Sequence, residues 1–149
     1  MTEQTELLIK DIEVMSKTSR LYDKLNNILG GDCNFNQVLY ALYMEEGLTQ
    51  KQISTDQGLP PQTVNNIVLS MQKKGQIQFI ENPNDKRSKI IKFTEKGLEI
   101  AKKQIGPIVE IEKKSIIRMG LENYQKMIEL EELYYSSLKA EIENYSNQN

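Results

Sequence analysis

Between Gly58 and Gly97 the order of residue types leaves the backbone few alternatives. Pro61 suits the first position of a helix, where a missing N–H is no loss, and Gly75 suits the left-handed residue just past a helix end. A helix of roughly four turns fits between them. Along it Val64, Ile67, Val68 and Met71 recur at three- and four-residue spacing and are expected to face a core, while Gln62, Asn65, Asn66, Leu69 and Lys73 make a second stripe. An ordinary solvated face carries Glu, Lys and Arg; asparagine is a poorer helix former than alanine by about half a kcal/mol. Amides kept there against that preference point to work other than folding.

Side-chain amides pair in two-pronged fashion with the N6 and N7 edge of adenine in the major groove of DNA. On the helix alone, a merely wet, slightly suboptimal face explains the stripe equally well, and the residues on either side shift the balance. Upstream, Thr49-Gln50-Lys51-Gln52 is a capping pattern for a short helix to about Gln57 with Ile53 buried, and Gly58-Leu59-Pro60 is a tight turn, together a helix-turn-helix. Downstream, the runs Gln76 to Glu81 and Ile90 to Phe93 are β-branched and aromatic and are joined by Asn82-Pro83-Asn84-Asp85-Lys86-Arg87-Ser88-Lys89, which reads as an antiparallel hairpin. A helix-turn-helix followed by a hairpin is a winged helix. The fold class is therefore mainly α with a small β-hairpin.

Asn82-Pro83-Asn84-Asp85-Lys86-Arg87, then Ile91, then Phe93-Thr94-Glu95-Lys96-Gly97, resembles the wing and the following helix start of the multiple antibiotic resistance regulator (MarR) family, with its Asp-x-Arg and Leu-Thr-x-x-Gly. Phe93 replaces the usual leucine. The resemblance runs through the whole chain and implies a homodimeric DNA-binding transcriptional regulator, most often a repressor released by a small-molecule effector, in which the N- and C-terminal helices of two subunits interleave.

Net charge is −2 over 149 residues, which at first argues against a nucleic-acid partner. Its distribution reverses that argument. Gly47 to Lys103 holds ten Lys and Arg against five Asp and Glu, and the remainder nine against sixteen, so positive charge is concentrated on the reading module. No apolar run approaches the length of a membrane span, and the first residues lack the basic start and apolar middle of a signal peptide, so the expected compartment is the cytoplasm with no membrane partner. The single cysteine, Cys33, cannot close an internal disulfide.

In chain order, Leu7, Leu8, Ile12, Met15, Leu21, Tyr22, Leu25, Ile28 and Leu29 mark a first helix of about six turns ending at Gly30-Gly31. Asn34-Phe35-Asn36-Gln37 reads as a capping box for a second helix that carries Val38, Leu39, Leu42 and Tyr43 inward. After the hairpin Thr94 can cap a helix toward Met119, with a kink expected at Gly106-Pro107. Gly120 separates it from a last helix bearing Tyr124, Met127, Ile128, Leu133, Tyr134, Leu138 and Ile142, and Ser146 to Asn149 are expected to fray. The outer helices hold more apolar surface than a winged helix of about 60 residues can cover, which calls for a second copy or an intramolecular bundle. Residues 1–31 and 104–149 are accordingly assigned to a dimerisation region and 32–103 to the DNA-binding region.

Arg87 at the wing tip suits the minor groove, where negative potential is strongest over A·T-rich sequence, and Asp85, two residues away, can pair with it and orient the loop. Pro61, Gln62, Thr63, Asn65 and Asn66 fall on the reading helix; Lys73, Lys86 and Lys89 are phosphate candidates, and Thr49, Ser54 and Thr63 can add hydroxyl contacts. A two-fold dimer sets two such helices about one DNA turn apart, so the expected target is an A·T-leaning inverted repeat in duplex DNA. Histidine is absent, and no nucleophile elbow, phosphate-binding glycine loop or dinucleotide fingerprint occurs, so neither an enzyme, a cofactor nor a metal is expected. Tyr22, Tyr40 and Tyr43 can line an effector crevice, although tyrosines at such spacing more often pack in a core. Two rival functions remain: a winged-helix protein-interaction module that never binds DNA, and a redox regulator acting through Cys33. Against the second, oxidant-sensing relatives carry their cysteine within the first helix.

Overall fold

Residues 1–148 are described by a computed structural model. In chain order they form α1 (Glu3–Leu29), α2 (Cys33–Met44), β1 (Leu48–Thr49), α3 (Gln50–Gln57), α4 (Pro61–Lys73), β2 (Ile77–Glu81), β3 (Lys89–Phe93), α5 (Glu95–Gln104), α6 (Gly106–Met119) and α7 (Leu121–Gln148). Two compact units result, Met1–Ile108 and Val109–Asn149.

In the first unit the sheet is antiparallel in the order β1-β3-β2, with Ile91 at its centre opposite both Leu48 and Phe79. The two-residue β1 has no counterpart in the sequence expectation, because a strand that short shows no alternation to read. Ile91, Leu39, Ile53, Val64, Val68 and Met71 are almost wholly buried, so α2, α3 and α4 close over the sheet. The expected inward stripe of α4 is buried at Val64, Val68 and Met71, and half-buried at Ile67.

Two local expectations are corrected. The cap of α2 is Asp32, whose Oδ1 accepts from Phe35 N at 2.9 Å, and not Asn34; the helix starts two residues earlier than the Asn34-to-Gln37 capping box required. A carboxylate in that place also complements the positive end of the helix dipole, which a neutral asparagine does not. Gln37, freed from the expected capping role, has its Oε1 buried without a hydrogen-bond partner among the described residues. At the other site, Gly106-Pro107 does not kink a continuous helix. α5 ends at Gln104, Ile105 interrupts, and α6 begins at Gly106, which places Pro107 in a first turn where its missing N–H is no loss.

Three elements meet around one buried polar residue. Asn36, 3% exposed, donates to Asn26 Oδ1 at 3.1 Å and to Gly30 O at 3.4 Å, while Gln104 Nε2 donates to Gly30 O at 2.6 Å. These bonds fasten the end of α1 to α2 and α5 and satisfy a carbonyl that the helix terminus would otherwise leave open.

The end of α4 is fixed more tightly. Thr94 Oγ1 donates to Gly75 O at 2.7 Å and accepts from Gly97 N at 3.1 Å; Thr94 N donates to Gln76 O at 3.0 Å, and Lys96 Nζ to Lys74 O at 2.8 Å. Gly97 packs directly on this turn, and a β-carbon there would overlap the Gln76 carbonyl.

α1 buries none of its 27 residues; Leu7, Leu8, Ile12, Met15 and Leu21 are all exposed. Within the second unit α7 likewise buries none of its 28 residues, leaving Leu133, Tyr134, Leu138 and Ile142 exposed. α7 remains helical through Gln148, contrary to the expected fraying from Ser146; Asn149 lies outside the described residues. No described helix is long and apolar enough to cross a membrane.

Gly97→Ala tests the joint. Alanine favours an exposed helix interior by about 1 kcal/mol over glycine, yet overpacking against Gln76 O is expected to destabilise the chain by about 3 kcal/mol or more. Urea unfolding of the variant is predicted to show an earlier midpoint; an unchanged or later midpoint would mean that the close approach does not exist.

Candidate nucleic-acid interface

Pro60 and Pro61 start α4 without a side-chain cap, so the N–H groups of its first turn are not taken up by a capping residue. Pro61, Gln62 and Asn66 are exposed, Thr63 and Asn65 half-buried, and Lys73 exposed at the far end. Gln62 Nε2 donates to Asn66 Oδ1 at 2.8 Å, one helical turn apart. Leu69, 48% exposed, lies on the same side.

The wing tip is held by its own side chains. Asn82 Oδ1 accepts from Asn84 N at 3.0 Å and Asn82 Nδ2 donates to Ser88 Oγ at 2.8 Å, while Ser88 N donates to Asp85 O at 3.1 Å. Asp85 Oδ1 accepts from the backbone N–H of Arg87 at 2.9 Å. The sequence suggested that Asp85 pairs with Arg87; the bond goes to the arginine's main chain, an Asx-type turn. The three ion pairs among the described residues, Glu13–Lys17, Glu110–Lys113 and Lys139–Glu143, all lie elsewhere. Arg87, Lys86 and Lys89 are exposed.

Residues 37–88 match the model of the MarR family. Among solved structures, the chain is similar to NMB1585, a MarR family regulator from Neisseria meningitidis, with a TM-score of 0.76 and 26% identity over 96% of this chain and 99% of that one. The matched segment, α2 through the wing, is thus similar to the MarR family, and the fold is that of a MarR family regulator. MepR of S. aureus in its DNA-binding conformation aligns with a TM-score of 0.62 at 21% identity, covering 93% of this chain and 99% of that one. PcaV of Streptomyces coelicolor, in complex with its natural ligand, aligns with a TM-score of 0.58 at 18% identity, covering 84% and 91% respectively. No curated protein sequence matches the chain.

Two hydroxyls expected to reach DNA, those of Thr49 and Ser54, are engaged inside the protein. Thr49 Oγ1 donates to Gln52 Oε1 at 2.9 Å and accepts from Gln52 N, completing the capping box of α3. Ser54 Oγ donates to Leu59 O at 2.7 Å and holds the turn between α3 and α4. A phosphate needs a donor, and both hydroxyl protons are already engaged inside the protein. The sequence signal for this was present in both cases, since a threonine three residues before a glutamine and a serine just before a turn are ordinary local caps.

Of the three tyrosines considered for an effector crevice, Tyr22 on α1 is exposed, and Tyr40 and Tyr43 on α2 are half-buried, so none is a core residue. The Tyr43 hydroxyl is near Gly106, 3.8 Å from where a β-carbon would stand. Cys33 is exposed and is the first residue of α2, one place inside the helix that it was expected to precede. No cluster of three His, Cys, Asp or Glu able to hold a metal occurs among the described residues.

Asp85→Ala removes the acceptor for Arg87 N while leaving the arginine in place. Amide hydrogen exchange at Arg87 is predicted to quicken, with a loss of global stability of no more than about 1 kcal/mol. Unchanged exchange at Arg87 would show that the carboxylate does not order the wing.

Proposed function

We propose that the chain is a transcriptional regulator of the cytoplasm that binds an A·T-leaning inverted repeat in duplex DNA as a homodimer, represses from it, and is released by a small-molecule effector. The observation that carries the reading is the pairing, in one unit, of a reading helix with an exposed amide face and a stiffened wing whose arginine side chain has no ion-pair partner among the described residues. An arginine that only serves stability would be expected to pair with a carboxylate. One left free at a loop tip is suited to a narrow minor groove.

The bare apolar faces of α1 and α7 support the dimer, because contiguous exposed apolar surface of this kind marks an interface. Two subunits related by a two-fold axis present two copies of α4, and an inverted repeat is the matching target. Release follows if a ligand favours a dimer in which the two reading helices are wrongly spaced. The half-buried Tyr40 and Tyr43 and the exposed Tyr22 offer aromatic faces suited to an amphipathic effector.

With Lys73, Lys86 and Lys89 contributed by each of two subunits, about six phosphates are neutralised, and affinity for the operator is predicted to fall by roughly a thousandfold between about 50 and 200 mM salt. Titration of a labelled duplex selected by the protein from a random pool measures this. Flat retention, or none at low salt, would favour a winged helix that serves protein contacts alone. Arg87→Ala is predicted to weaken binding by about tenfold or more across sequences, with sedimentation still reporting a dimer. A variant that binds like the parent would remove Arg87 from the interface, and a parent that sediments as a monomer at micromolar concentration would remove the dimer.

A further inference from the structure

Val64, Val68 and Met71 fix which side of α4 is buried, and at 3.6 residues per turn the diametrically opposite line passes through Gln62, Asn66 and Leu69. Asn65 is rotated off that line and is half-buried. Gln62 and Asn66 are joined by a 2.8 Å hydrogen bond, and Leu69 stands one turn further along, 48% exposed among amides and lysine.

We propose that Gln62, Asn66 and Leu69 act as one base-reading unit that selects an adenine–thymine pair, adenine through the linked amides and thymine through the leucine. This rests on the reading of the chain as a DNA-binding protein and names what that reading left open. Two side-chain amides joined by a single hydrogen bond leave one carbonyl and one amino group that the bond does not use, here Gln62 Oε1 and Asn66 Nδ2. Adenine offers the complementary edge, an N6 amino donor beside an N7 acceptor. Guanine presents acceptors at both places, and its O6 would face the Gln62 carbonyl.

A cytosine amino group beside guanine O6 also sets a donor next to an acceptor, so the amides alone do not exclude that pair. Thymine is distinguished by its C5 methyl, which an apolar side chain can cover. Leu69 lies three residues from Asn66, about 4.5 Å along the helix axis, within reach of a methyl on the same or the adjacent base pair. The bond between the amides also holds two flexible side chains in one arrangement before DNA arrives, so less ordering is left to binding.

Base analogues separate the two contacts. The full-length chain selects duplexes from a randomised pool, and in the enriched duplex each adenine is replaced in turn by 7-deazaadenine, which lacks the N7 acceptor, and each thymine by uracil, which lacks the methyl. At one site per half-repeat both changes are expected to weaken the parent about fivefold. Asn66→Ala is expected to lose the response to 7-deazaadenine and keep the response to uracil, and Leu69→Ala the reverse. Both positions face solvent, and unchanged thermal melting of the variants confirms that they are folded. If every position tolerates both analogues, or if the variants respond as the parent does, the reading unit is overturned while DNA binding stands. If no duplex is enriched, the DNA-binding reading fails and this inference fails with it.

Discussion

Everything that α4 presents outward depends on how its end is fastened. Gly97 lies so close to the Gln76 carbonyl that no side chain fits there, and Thr94 simultaneously caps α5 and bonds the carbonyl of Gly75, the residue that closes the turn after α4. Lys96 binds the adjacent Lys74 carbonyl and sets a positive charge at the negative end of the α4 dipole. Because β3 leads straight into Thr94, the wing and the reading helix share one joint. Their mutual placement is therefore set by short-range contacts rather than by the long side chains of the surface, whose pairs contribute little.

The same economy governs the wing. The seven loop residues 82–88 would ordinarily be mobile, yet Asn82, Asp85 and Ser88 supply local acceptors and donors that close successive turns. Asp85 directs its carboxylate to a backbone N–H and so orders the loop without neutralising the arginine beside it. A salt bridge between the two side chains would have ordered the loop equally well but would have cancelled the charge. Elsewhere in the unit, Asn36 and Gln104 fasten α1 to α2 and α5 through hydrogen bonds to Asn26 and Gly30. A shift of α1 thus has a polar, directional connection to α2 and α5.

The elements that strong local chemistry defines were legible in the sequence. Pro61 and Gly75 bound α4, the Thr49 capping box starts α3, and Thr94 starts α5. What escaped was decided by competition or by distance. Asp32 outcompeted Asn34 for the cap of α2 because a charged carboxylate is the stronger partner for a helix N-terminus. β1 exists only because Ile90 and Ile91 offer it a pairing edge far later in the chain. The demand for glycine at position 97 comes from its packing on residue 76, which periodicity cannot reveal. On the amide stripe of α4, residue types alone put Asn65 and Asn66 on an equal footing. Only the folded chain separates the half-buried Asn65 from the exposed, hydrogen-bonded Asn66.

The central claim is that the amide face of α4 and the wing tip meet one duplex together, twice, across a two-fold axis. A structure of the chain bound to the duplex it selects tests this directly. The account predicts α4 in the major groove of each half-site with Gln62 and Asn66 against base edges, and Arg87 in the flanking minor groove. A duplex seated on any other surface, or contacts from α4 to phosphates alone with Arg87 remote from the DNA, would contradict it.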